Sequence, residues 1–170
     1  MATMTAVFGA ARASQVAHLP QQPRVAGDEA VLFRYREGVT PAFTQHFAAR
    51  WLVGGLPFSG SGTRHTVVEL DLLDAGPCSD AHVLALADFI PPVALSLLST
   101  PTAGSSLTWM LELFEADPGR LPLTRWRVDS EMVAARDGRK AAHGPRHPRI
   151  QTSQATPERT KPRACRRASP

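Results

Sequence analysis

The stretch that decides the fold is Ser79–Phe114, SDAHVLALADFIPPVALSLLSTPTAGSSLTWMLELF. Residues 79–98 are apolar on almost every side, which predicts a helix that is buried against a sheet. Ser79 or Asp80 can cap the start of this helix by accepting a backbone N–H bond. Pro91-Pro92 should kink or split it, because proline lacks the backbone donor that a helix interior requires. A polar loop follows, and residues 105–114 then predict a strand.

One acid, Asp88, interrupts the apolar part of the predicted helix. A buried carboxylate is costly unless it is paired or used chemically. A catalytic role and an ordinary ion pair or backbone contact both satisfy that requirement. Asp88 is therefore the first candidate functional residue.

The rest of the globular part predicts antiparallel strands. Strand character is found in residues 1–10, 30–36, 43–53, 63–73 and 123–135. The segment 63–73 alternates best, with Val68, Leu70 and Leu72 on one face. The pattern predicts an α+β fold, an antiparallel sheet wrapped around one central helix.

The charge of the chain is divided between two unlike parts. Residues 139–170 contain nine Lys and Arg residues and one acid, whereas the remainder contains ten basic and fourteen acidic residues. The segment 139–170 lacks apolar periodicity, so we expect a disordered basic tail. It also lacks aromatic residues for base stacking, so we expect no specific nucleic-acid partner.

Four segments occur in a characteristic order: RWLVGGLPFSG, LALADFIPPVAL, SSLTW and WRVDSEMVAARDG. In order and spacing they resemble the acyl-CoA thioesterase family of the double hot-dog type. The resemblance implies that residues 30–138 form the second hot-dog domain. Residues 1–12 would then be a remnant strand of the preceding domain, and 13–29 a linker.

In that family a helix carboxylate, a Thr or Ser on the next strand and a Gln near the domain's end hold the nucleophilic water. The resemblance assigns the carboxylate to Asp88 and the hydroxyl to Ser106, with Thr108 as a competitor. The Gln has no match, since Gln151 and Gln154 lie in the tail and fit no strand pattern. We expect a hot-dog-like fold that is incomplete at its C-terminal edge, the end having been lost to a frameshift.

Two functions follow from the resemblance. The first is hydrolysis of acyl-CoA or a similar thioester by carboxylate-activated water, impaired by the missing Gln. The alternative is a non-catalytic truncated hot-dog fragment or an assembly partner. In either case unpaired strand edges predict a homo-oligomer.

The remaining features indicate no further chemistry. His46, His65 and His82 lack metal-ligand spacing, so we expect no metal and no cofactor. Cys78 lies beside the helix start, which would lower the pKa of its thiol. Two cysteines without a disulfide pattern, no apolar run long enough to span a bilayer and no signal peptide together indicate a cytoplasmic protein without a membrane partner.

Overall fold

The computed structural model describes residues 5–7, 9, 13, 15, 25, 29–102, 109–111, 117–136, 139–143 and 151–152. Its strands are β1 (Val31–Phe33), β2 (Phe47–Val53), β3 (His65–Leu72), β4 (Trp126–Arg136), β5 (Arg139–His143) and β6 (Gln151–Thr152). The one α-helix of the described part, α1, spans Asp80–Asp88. Short 3-10 turns lie at Ala42–His46, Val93–Leu97 and Pro118–Arg120.

The strands form one antiparallel sheet in the order β1-β2-β3-β4-β5, and β6 also pairs with β4. In the register, Trp51 lies opposite Val68, and Val68 lies opposite Val128. Side chains of directly paired residues point to the same face of a sheet. One rung of the sheet therefore presents three large apolar side chains to the same side.

The main core lies between this face of the sheet and α1. The helix contributes Val83 and Leu86, and Phe89 follows directly after it. The sheet contributes buried apolar side chains from three strands: Ala49, Trp51, Val68, Leu70, Leu72, Trp126 and Val128. This arrangement confirms the predicted α+β fold with a sheet around one helix, as the hot-dog resemblance implies. Trp51 and Trp126 are core residues, whereas Trp109 is 52% exposed.

The helix ends where the two prolines predict. α1 stops at Asp88, and after Pro91-Pro92 the chain continues as the 3-10 turn Val93–Leu97. The expectation of no apolar run long enough to span a bilayer is wrong by length and composition, since the 18 residues Asp80–Leu97 have a mean hydropathy of 1.3. The segment is not one continuous helix, because α1 ends before Pro91-Pro92. The burial of Val83 and Leu86 against the sheet accounts for the apolar character of its helical part.

Four of the predicted strands are confirmed with shifted ends. Residues 30–36 contain β1, 43–53 contain β2, 63–73 contain β3 and 123–135 correspond to β4. β4 begins later than predicted because Arg125, just before it, has a positive φ of 63°.

Two other predicted strands are not found where the structure describes them. Thr5–Val7 and residues 109–111 have no regular secondary structure. The remainder of the segments 1–10 and 105–114 lies outside the described residues, apart from Gly9.

The prediction that the chain is disordered from Arg139 onward is wrong for two segments. Arg139–His143 forms β5, and Gln151, predicted to fit no strand, lies on β6. β3 pairs only with residues 126–131 of β4, and β5 pairs with residues 131–136. β4 and β5 pair through backbone hydrogen bonds, and β5 has no apolar pattern from which a strand could be predicted. The sequence between them is Asp-Gly, a dipeptide that is typical of hairpin turns.

Candidate functional site

A groove of about 470 Å³ opens to solvent beside α1. It is bounded by the 3-10 turn at 42–46, the start of β2, the end of β3 and the exposed side of the helix. Its apolar lining residues are Phe43, Phe47, Leu72, Leu73 and Ala85. Its polar lining residues are His46, Asp74, His82 and Asp88. An apolar floor with a few polar groups is the usual composition of a small-molecule site.

Asp88 is exposed, so the expectation that it lies in a buried environment is wrong. α1 is not buried on all sides: Leu86 and Ala87 face the core, whereas Ala85 and Asp88 line the groove. Residues three apart lie on the same side of a helix, which explains the pairing of Ala85 with Asp88. The carboxylate is therefore accessible to water and to a ligand in the groove.

The two hydroxyl candidates lie outside the described residues. Ser106 and Thr108 belong to the segment 103–108. Their placement across from Asp88 stays a prediction of the family resemblance.

The N-terminal end of α1 carries a hydrogen-bonded network that includes two groove residues. The Ser79 N–H donates to His82 Nδ1 at 3.1 Å, and the Ser79 side chain accepts from the His82 N–H. Because Nδ1 accepts, Nε2 carries the ring hydrogen and donates to Asp74 Oδ2 at 3.1 Å. Ser79 was one of the two predicted caps, and it is the residue that caps the helix.

Asp74 is held as a carboxylate at the rim of the groove. Its Oδ1 accepts the Ala75 N–H at 2.7 Å, and its Oδ2 accepts from His82. These two hydrogen bonds, that of Ala75 first, lower the pKa of Asp74 below its ordinary value of 3.8. The side chain stays 57% exposed, so its charge faces solvent as well as the groove.

Sequence reasoning missed the Asp74–His82 pair. The spacing of Ser79 and His82 is that of a capping box, with histidine in place of the usual Glu or Gln. That spacing could have pointed to His82. Asp74 could not have been found this way, since only the turn between β3 and α1 brings it to the ring.

The other histidine and cysteine expectations have mixed outcomes. His65 Nε2 lies 2.7 Å from Asp129 Oδ1, so this histidine has a protein partner. Among the described residues no group of three or more His, Cys, Asp or Glu residues could hold a metal ion. The predicted low pKa of Cys78 is wrong: the thiol is buried, and desolvation raises its pKa.

The fold is that of a hot-dog-like domain with a groove beside its helix. The family model for the acyl-CoA thioesterase C-terminal domain matches residues 16–144. No curated protein and no solved structure matches the chain. The chain belongs to the family of acyl-CoA thioesterase C-terminal domains.

Proposed function

We propose that this chain hydrolyses acyl-CoA thioesters and that Asp88 is the general base. The observation that carries the proposal is the position of Asp88, an exposed carboxylate on a groove with an apolar floor. The family supplies the substrate class, an acyl-CoA thioester. The apolar floor suits the acyl chain, and the carboxylate can contact a water molecule at its edge.

In the proposed reaction, water attacks the carbonyl carbon of the thioester while the Asp88 carboxylate takes a proton from it. The tetrahedral intermediate then collapses, the carbon–sulfur bond breaks and the thiolate leaves. The proton taken up by Asp88 passes to that thiolate. The products are a carboxylic acid and free CoA, and Asp88 returns to its starting state.

Ser106 is proposed to orient the attacking water, with Thr108 as the competing candidate. The support for this part is the family resemblance of the segment SSLTW. Losing the orientation of a reacting group commonly costs about 100-fold in rate. Comparing Ser106→Ala with Thr108→Ala distinguishes the two, because only the variant that lacks the orienting hydroxyl should lose that factor.

The proposed base is tested by measuring the hydrolysis of a series of acyl-CoA substrates, with the release of the free CoA thiol as the signal. Asp88→Asn should lower kcat by about 100-fold to 10,000-fold, because an amide cannot accept the proton. Asp80→Asn is the matched control, since it makes the same change on α1 at a residue that does not line the groove. Turnover that Asp88→Asn leaves unchanged would contradict the proposal. Absence of turnover in the unmodified chain would favour the non-catalytic alternative.

A further inference from the structure

The ionisable residues that line the groove are two carboxylates and two histidines. Asp74 and Asp88 carry the carboxylates, and His46 and His82 carry the imidazoles. Among the described residues, no Lys or Arg lines the groove. A ligand in the groove therefore meets negative charge and no permanent positive charge.

His82 does not offset this charge for a ligand. Both of its ring nitrogens are engaged, Nδ1 by the Ser79 N–H and Nε2 by the Asp74 carboxylate. The Asp74 carboxylate is itself fixed by the Ala75 N–H. The negative charge at this rim is thus part of the hydrogen-bonded structure that starts α1.

We propose that the groove selects neutral acyl groups and rejects acyl groups that end in a carboxylate. The inference rests on the proposed function, which identifies the ligand as an acyl thioester. A terminal carboxylate entering the groove would lose water against the apolar floor of Phe47 and Leu72. It would also be repelled by Asp74 and Asp88. By the same argument, the phosphates of CoA lie outside this groove.

Three ligands of matched shape separate charge from size and polarity. They are amide analogues of acyl-CoA, with nitrogen in place of the thioester sulfur, so that binding is measured without turnover. The acyl groups are 4-methylpentanoyl, 4-oxopentanoyl and succinyl, whose ends are an isopropyl group, a neutral methyl ketone and a carboxylate of similar size. The shared CoA part cancels in the comparison. Binding is measured by calorimetry at pH 8, because an ordinary histidine side chain is neutral at that pH.

The succinyl analogue should bind about tenfold or more weakly than the 4-methylpentanoyl analogue, with the 4-oxopentanoyl analogue between them. Asp74→Asn should reduce the ratio of the two dissociation constants, succinyl over 4-methylpentanoyl, by about threefold, and added salt should also reduce it. Asp80→Asn should leave it unchanged, because Asp80 does not line the groove.

Equal binding of the succinyl and 4-methylpentanoyl analogues would overturn the inference. A difference that Asp74→Asn does not narrow would also overturn it, as would a failure of all three analogues to bind. None of these results depends on hydrolysis. Turnover that is unchanged in Asp88→Asn would reject the proposed base and leave the selectivity result standing. Equal binding of the charged and neutral analogues, with turnover lost in Asp88→Asn, would reject the selectivity and leave the proposed base standing.

Discussion

The two ends of α1 differ in how their polar groups are used. At the N-terminal end, the side chains of Ser79 and His82 form a capping box, and Asp80 adds a negative charge in the first turn. At the C-terminal end, the last residue is the acid Asp88, and no basic residue lies in the last turn. Carboxylates stabilise the start of a helix and destabilise its end. The first end is thus built for stability, whereas the second carries a group that the helix does not need.

The difference between the two ends indicates where a functional residue of this domain lies. A residue that costs stability and faces a groove is a better candidate for chemistry than one that satisfies the backbone. Asp88 fits the first description, and Ser79 fits the second. Substitutions at the two ends should accordingly affect stability and activity in opposite ways.

The largest expected effect on stability is at the N-terminal end of α1. Ser79→Ala removes the side chain that accepts the His82 N–H, and should lower the free energy of unfolding by about 1 kcal/mol. Ser79→Asp keeps an accepting oxygen and should retain most of the stability. Urea unfolding of the three proteins measures the difference. Equal loss in both variants would show that the cap is not what stabilises this end.

Replacing an aspartate by asparagine should have a smaller effect on stability, with opposite signs at the two ends of α1. Asp80→Asn removes a favourable charge from the first turn and should destabilise by about 0.3–1 kcal/mol. Asp88→Asn removes an unfavourable charge from the last turn and should stabilise by a similar amount. Thermal unfolding at low salt measures both. A loss of stability in Asp88→Asn would mean that the carboxylate has a structural partner.

The smallest expected effect is the pH dependence of stability that the hydrogen-bonded network at the N-terminal end of α1 produces. The pKa of Asp74 is lowered in the folded chain, first by the Ala75 N–H and second by His82. The stabilisation from Asp74 is therefore present above the unfolded value of 3.8 and is lost as the pH falls through the lower folded value. The difference in Tm between the unmodified chain and Asp74→Asn should shrink between pH 5 and pH 2. A constant difference over this interval would show that the carboxylate charge is not involved.

Local sequence patterns predict the sheet and the helix well. The alternation of Val68, Leu70 and Leu72 and the prolines after Ile90 act within one element, so their consequences can be read directly. The apolar neighbours Leu84 and Ala85 predict a buried setting for Asp88, but in the structure Leu84 is half-buried and Ala85 is exposed.

Interactions between elements could not be predicted. The Asp74–His82 pair requires the turn between β3 and α1, and β5 requires the free end of the long strand β4. Neither leaves an apolar period in the sequence. The groove therefore depends on tertiary structure and could not be predicted, whereas Asp88, which lines it, could be identified as a candidate from the sequence.

A crystal structure of the chain with the 4-methylpentanoyl amide analogue of acyl-CoA would test the roles of the groove and of Asp88 together. We predict that the acyl chain lies in the groove against the neighbouring side chains of Phe47 and Leu72. We also predict that one water molecule donates a hydrogen bond to the Asp88 carboxylate, with its oxygen facing the carbonyl carbon. An acyl chain bound elsewhere on the domain, with no water between its carbonyl group and Asp88, would contradict both proposed roles.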